Sequence, residues 1–295
     1  MAVPQIVEQI AELIATYTGL SVRPQDSKIL ERIVTQRVRS LQLPSPEAYY
    51  SLLQKAPPST PLPVAESQRE WTVLTQSITT IESYFFRDRG QFSLLRDRLL
   101  PRAIEQRRLA QQRQGSPRPS LRLWSAGCST GEEPLSLAIL LRELLPDWQE
   151  WALLILGTDI NAEAIARAQA GLYPEWSFRL TPPALRDRYF QLAGDRWRID
   201  PEVHQMVTFE TGNLLGDRFP NLFSHLHDMD IILCRNVFIY FHAAAIAAIL
   251  QKFHQTLRSD GCLMCAHTEL SGQTLQSFQI EPFPESLVYR RACTA

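Results

Sequence analysis

Cysteine is scarce in this 295-residue chain: there are five, an odd number without regular spacing. A disulfide scaffold is excluded, and the expected state is reduced thiols in a cytosolic protein. Cys262-Leu-Met-Cys265 has the spacing of a metal-ligand pair. No second Cys or His pair completes a site, so an apolar strand is expected there and no metal. Neither sign of charge dominates, with 30 Lys and Arg against 31 Asp and Glu. That balance argues against a general nucleic-acid binder. No apolar run approaches the roughly 18 residues of a membrane span, and no signal-peptide pattern opens the chain. The expectation is a soluble, cytoplasmic protein without membrane insertion. What is present is a 45% hydrophobic composition, enough to bury a full core.

Helical periodicity dominates the first part of the chain. Residues 4–19 show it, and QDSKILERIVTQRVRSLQL (25–43) shows it more clearly. There Ile29, Leu30, Ile33, Val34, Val38 and Leu41 share one face, with Asp26 or Ser27 as candidate N-caps. Lys28, Arg32 and Arg39 fall together on the opposite side. Arg37 projects into the apolar sector, where it must snorkel or meet a carboxylate. A third helix is expected at 44–55, a turn-rich connector at 56–63 and a further helix at 65–78. A long helix over about 87–113 leads into an exposed loop at 111–120. Strands and helices then alternate: strand 121–126, helix 132–145, strand 151–159, helix 161–171, helix 181–191. RWRID and MVTFE look like short antiparallel strands. MDIILC (229–234) is a continuous apolar strand, 242–258 a helix stopped at Asp260-Gly261, and strands at about 261–267 and 286–292 close the chain. The pattern predicts a wound α/β sheet behind a small helical domain.

In such sheets, ligands sit at the carboxyl ends of strands. Three strand ends carry suggestive residues. The stretch LWSAGCSTGEEPLSLAILL (123–141) leaves a strand, turns at Gly127 and starts a helix with Glu132 and Glu133. It matches neither G-x-G-x-x-G nor a P-loop. Asp159 ends the next strand, placed to accept hydrogen bonds from both hydroxyls of a ribose, or merely to help cap a helix with Asn161. Asn213-Leu214-Leu215 could hold an adenine. Acid at the first turn suggests a ligand with a cationic end, with Glu133 the better candidate for contacting it; the competing reading is a favourable macrodipole interaction. S-Adenosylmethionine satisfies all three demands: adenine, ribose, and a sulfonium with an amino-acid head.

Six ordered stretches together resemble the chemotaxis-receptor glutamate methyltransferase (CheR) family: TTIESYFFRD (79–88), WSAGCSTGEEPLSLAILL (124–141), GTDINAEAIARAQAGLY (157–173), GNLL (212–215), DIILCRNVFIYF (230–241) and DGCLMCAHTEL (260–270). The resemblance implies an α/β, Rossmann-like S-adenosylmethionine-dependent methyltransferase sheet at 79–295. It also implies a small N-terminal all-helical domain at 1–78 and a small inserted antiparallel β subdomain at about 190–207. It implies methyl transfer from S-adenosylmethionine to glutamate carboxylates in the cytoplasmic helical domain of chemoreceptors, leaving S-adenosylhomocysteine; no oligomer is implied. Carried over by motif, Arg87 and Tyr240 are the catalytic candidates. Ser83, Arg87, Gly127, Glu133, Asp159, Asn213, Leu214, Arg235 and Asn236 are the cofactor-binding ones. Ile81 stands where the family often has asparagine, Ser83 where threonine is usual, Leu135 where tyrosine is common, and AHTEL replaces a Gly-His-Ser-Glu-like run.

An ionised glutamate needs no general base, so the lack of a histidine-based constellation fits this chemistry. Arg87 is expected to orient a carboxylate. Tyr240 is expected to donate to the acceptor or to lay its ring near the sulfonium. His267 and the Phe85-Phe86 pair are expected to be structural. The Lys28–Arg32–Arg39 face is a candidate for docking an acidic receptor bundle, against a merely solvated basic face. The 190–207 hairpin is a candidate for holding a receptor tail by strand addition. Two alternatives remain open: a cofactor-binding regulatory module impaired in catalysis, and a methyltransferase acting on another substrate.

Overall fold

The computed structural model describes residues 3–55, 65–222 and 224–292; the connector expected at 56–63 lies outside them. Four helices come first: α1 (Val3–Thr18), α2 (Ser27–Ser40), α3 (Pro46–Lys55) and α4 (Ala65–Ile78). They form because apolar residues recur every three or four positions and meet in one core. Ile6, Ile10 and Ile14 of α1 pack with Leu30 and Val34 of α2, Tyr49 and Leu53 of α3, and Trp71 and Leu74 of α4. Arg37 finds its carboxylate in Glu70, with Nε and Nη2 donating to the two oxygens at 2.6 and 2.8 Å. The Tyr49 hydroxyl donates to the same group at 2.9 Å. Asp26 precedes α2 without capping it through its side chain, which accepts from Arg23 instead. Ile29 is 53% exposed, outside this core.

One long helical stretch follows, made of α5 (Arg89–Leu94), a π-helical turn (Leu95–Leu99) and α6 (Leu100–Gln114). The loop expected from 111 therefore begins only after Gln114. Among the described residues ten strands complete the fold: β1 (Ser120–Ala126), β2 (Ala152–Asp159), β3 (Leu172–Tyr173), β4 (Phe190–Ala193), β5 (Arg196–Ile199), β6 (Val207–Thr211), β7 (Met229–Cys234), β8 (Leu257–Cys265), β9 (Phe278–Phe283) and β10 (Ser286–Arg291). Between them run α7 (Glu132–Leu144), α8 (Ala162–Ala170), α9 (Pro183–Tyr189), α10 (Pro201–His204) and α11 (Ala243–Thr256). Seven strands form one sheet in the order β6-β2-β1-β7-β8-β10-β9. The first five are parallel, and β10 runs antiparallel to both β8 and β9. Each face is covered. Leu121 and Leu123 of β1 join a core with Leu99 and Leu137, whereas Trp124 and Ala126 point the other way, toward Ile249 and Phe253 of α11.

Three further expectations change. MVTFE is not antiparallel: β6 pairs parallel with β2 at the sheet edge. Its alternation, with Val207 and Phe209 buried and Thr208 and Glu210 exposed, marks a half-covered edge strand and carries no information about direction. The separate small sheet is β3-β5-β4. The expected 190–207 span contains β4 and β5 but misses β3, while Pro201–His204 is helical and Val207 already belongs to the main sheet. Finally, α11 stops at Thr256, and Asp260-Gly261 falls inside β8, where the ladder shifts register between Met229 and Ile231. A buried Leu257 pairing with Met229 begins the strand early, so Asp-Gly marks an irregularity in a strand rather than a helix stop. Cys262 and Cys265 lie on opposite faces of β8, in different cores, and cannot ligate one ion together. Among the described residues no cluster of His, Cys, Asp or Glu could hold a metal.

Candidate functional site

The order of the main sheet reverses at β1, which lies between β2 and β7. The loops leaving the carboxyl ends of these strands diverge there and open a crevice. A cavity of about 560 Å³ occupies it, a size suited to a small-molecule ligand. All ten catalytic and cofactor candidates read from the sequence line it: Ser83, Arg87, Gly127, Glu133, Asp159, Asn213, Leu214, Arg235, Asn236 and Tyr240.

Local structure explains their placement. Gly127 ends β1 at φ +81°, and a Cβ there would come within 2.4 Å of the Val237 side chain. Only glycine lets these two loops meet. Asp159 accepts from the Ser129 N–H at 2.8 Å and the Asn161 N–H at 2.9 Å, one on each oxygen. Burial pushes its carboxyl up, with the backbone donors opposing. A carboxylate oxygen has further lone pairs to offer, so capping does not exhaust Asp159. The neighbouring Ser129 hydroxyl, buried on the cavity wall, has no hydrogen-bond partner among the described residues. An unsatisfied polar atom at this point suits a ligand with hydroxyl groups of its own.

The two glutamates separate. Glu132 is buried away from the cavity, accepting from Thr130 and Ser177, and Ser83 is also bonded to it. Burial raises its carboxyl. Glu133 faces the cavity, but it is paired: Ser125 Oγ donates at 2.7 Å and Arg235 Nη1 at 2.8 Å. Arg235 also donates to the Arg87 carbonyl at 2.6 Å and to Gln91 Oε1. Its guanidinium is thus held by protein groups and in turn holds Glu133 and the backbone of Arg87. Flanking Arg87, Phe86 and Asp88 both sit in the left-handed region, at φ +55° and +64°. For a bulky residue such as Phe86 that is strained backbone, and it turns the Arg87 segment to the cavity while Phe85 and Phe86 pack inward. The Arg87 guanidinium lies 5.4 Å from the Tyr84 ring and donates to the Glu82 carbonyl at 3.3 Å.

Asn213 serves its own loop more than the cavity. Its Oδ1 accepts from Leu215 and Gly216 N–H at 3.0 Å, and its Nδ2 donates to the Tyr17 carbonyl of α1 at 2.8 Å. Asn236, at φ +59°, turns the chain out of β7, and Glu269 accepts its N–H at 3.0 Å and that of Ala266 at 2.7 Å. This turn presents Tyr240, 38% exposed at the mouth. His267 lies beyond β8, exposed and 3.4 Å from Asp88. Ile81 and Leu135, the positions departing from the resembled pattern, do not line the cavity, and Leu135 is core. Lys28, Arg32 and Arg39 line a separate open groove on the outer face of α2, with Glu31 among them.

Sequence reasoning missed one wall altogether. Thr18 of α1, Leu20 just beyond it, and Ile29 and Ile33 of α2 also line the cavity. A seam fixes them there: Ser21 N–H donates to the Tyr240 carbonyl at 2.7 Å, and His242 N–H to the Gly19 carbonyl at 3.2 Å. No local signal marks such contacts, because the partners lie more than 200 residues apart.

Comparison with known proteins agrees with this geometry. Residues 81–286 match the family described as CheR methyltransferase, SAM binding domain. A chemotaxis protein methyltransferase of Borreliella burgdorferi is 34% identical over 198 residues, 66% of this chain and 66% of that protein. A probable biofilm formation methyltransferase of Pseudomonas aeruginosa is 29% identical over 98% of this chain, which spans 62% of its length. A chemotaxis protein methyltransferase 2 of the same organism is 32% identical over 89% of this chain and 85% of its own. The chain therefore belongs to the CheR methyltransferase family, whose members draw a methyl group from S-adenosylmethionine.

Proposed function

We propose that this protein transfers the methyl group of S-adenosylmethionine to glutamate side-chain carboxylates of chemoreceptors in the cytoplasm, giving methyl esters for sensory adaptation and releasing S-adenosylhomocysteine. The observation that carries the reading is one cavity at the sheet's switch point that gathers Asp159, Glu133, Arg87, Leu214 and Tyr240. Asp159, with the free Ser129 hydroxyl beside it, receives the ribose. Leu214 and the Asn213 loop take the adenine, and Glu133 shares its charge between Arg235 and the cofactor's ammonium. Bound there, S-adenosylmethionine supplies a methyl carbon already activated by its sulfonium.

The protein's part is positional. A glutamate with a reference pKa of about 4.3 is ionised at neutral pH, so no base has to be supplied. Bringing oxygen, carbon and sulfur into line contributes roughly 7–11 kcal/mol. Arg87 orients the incoming carboxylate through its planar fork, and the Tyr240 hydroxyl donates to it. Residues 1–78 form a docking domain with a core of its own, and 79–295 the catalytic domain. The Lys28–Arg32–Arg39 face meets the acidic receptor bundle by charge complementarity.

Transfer of labelled methyl to purified receptor fragments tests the reading, followed by alkali. Release of methanol marks a carboxyl ester; a base-stable label would exclude it. Arg32→Glu with Arg39→Glu is expected to slow receptor methylation while leaving cofactor affinity unchanged. Unchanged rate and salt dependence would refute the docking face.

A further inference from the structure

The loop after β6 is held from behind by a cation. Lys252, half-buried on α11, donates from Nζ to the carbonyls of Leu214 at 2.7 Å, Leu215 at 3.0 Å and Asp217 at 2.6 Å. An ammonium has three donors, and all three enter one loop. Beneath it the Phe219 ring centroid lies at 4.0 Å. The same loop is cross-tied within itself, since Asp217 Oδ2 accepts the Asn213 N–H at 2.7 Å. Three carbonyl oxygens converging on a point repel one another unless a positive charge stands there. The carbonyls of Leu214 and Leu215 turn to Lys252, which offsets that repulsion, while Asn213 and Leu214 of the same loop stand on the cavity wall.

We propose that Lys252 is a positioning residue for the nucleoside end of the cofactor, an internal cation that clamps the Asn213–Asp217 loop in its binding shape without touching the ligand. The inference rests on the S-adenosylmethionine reading of the cavity. Burial pulls the ammonium down to about 8, with Asp217, the charged group acting on it, opposing. As pH rises through that value one donor is lost and a lone pair faces a carbonyl oxygen, so the clamp loosens in alkali.

The test is calorimetry on the full chain with S-adenosylhomocysteine and with 5′-methylthioadenosine, which has no amino-acid ammonium of its own to titrate. Lys252→Met is expected to raise the dissociation constant of both by about tenfold, and to raise the cofactor KM with kcat unchanged. In the wild type, affinity for 5′-methylthioadenosine is expected to fall by about threefold between pH 7 and pH 9, a weakened rather than broken set of hydrogen bonds. Lys252→Arg, charged throughout, is expected to show no such fall, and it carries the test if the methionine variant does not fold. A Lys252→Met protein that binds both ligands as the wild type does overturns the proposal, as does an identical pH dependence in wild type and Lys252→Arg. A wild type that binds neither ligand overturns the cofactor reading itself.

Discussion

Arg235→Met removes a cation from the least exposed ion pair on the cavity wall, and its consequence can be worked from the geometry. The Arg235 side chain is 2% exposed and that of Glu133 14%. Methionine matches much of the arginine stem but leaves Glu133 as a partly buried carboxylate on the cavity wall with only Ser125 to satisfy it. It also strands the Arg87 carbonyl and Gln91 Oε1, two acceptors that Arg235 serves. Removing one partner of a fully buried pair costs about 3–5 kcal/mol, and because Glu133 faces the cavity and is partly screened, about 1–3 kcal/mol is expected here. Glu133→Gln with Arg235→Met takes both charges away, so the double variant is expected to be more stable than the sum of the single losses. Urea denaturation at pH 7, with slopes that stay constant across the four proteins, measures the cycle. Since Arg235 also fixes the backbone of Arg87, methyl transfer is expected to fall in the single variant. A loss below about 1 kcal/mol for Arg235→Met, or strict additivity of the two substitutions, would refute the view that the pair is a coupled buried unit.

Tyr240→Phe keeps the ring and deletes the hydroxyl, so kcat is expected to drop roughly 10–100-fold, the worth of a hydrogen bond to a charged group. Steady-state kinetics at saturating cofactor measure it, and an unchanged kcat would leave the tyrosine only its ring. Asp230 is raised by burial to about 6, from an ordinary value near 3.8. Between those values the native state holds a proton that the unfolded chain has released, so stability is expected to fall as pH rises from 4 to 6. Asp230→Asn should flatten that slope in urea midpoints measured across the range. Gly19 sits at φ +77°, and a Cβ there would lie 2.8 Å from the Phe241 ring and 2.9 Å from Ala245. Gly19→Ala is expected to cost on the order of 1–3 kcal/mol by overpacking the seam. The denaturation midpoint reports it, and a neutral result would mean that the helices and the Tyr240 turn are loosely joined.

Wherever one face or one backbone angle decides the outcome, the sequence was sufficient. Apolar periodicity located α2, α4, β1, β7 and α11, overrunning the last at its C-terminal end, because a 3.6-residue or continuous apolar pattern has few other ways to be buried. Arg37 in an apolar sector had either to snorkel or to meet a carboxylate, and the choice, with Glu70 as the partner, had to await the fold. That Gly127, Asp159 and the Asn213 loop would line one crevice was legible because strand ends in wound sheets converge by topology. Direction and partnership were not legible. The pattern of β6 is the same for parallel and antiparallel pairing, and the small sheet's third strand is two residues long. The adjacent Glu132 and Glu133 look alike in sequence, yet successive helical positions point about 100° apart, so one is buried behind the wall and the other faces the cavity. The parts played by Arg235, Lys252 and the α1 seam depend on groups tens to hundreds of residues distant in the chain. Only the closing of the sheet and the packing of helices on it bring those groups within hydrogen-bond reach, and no local propensity encodes that distance.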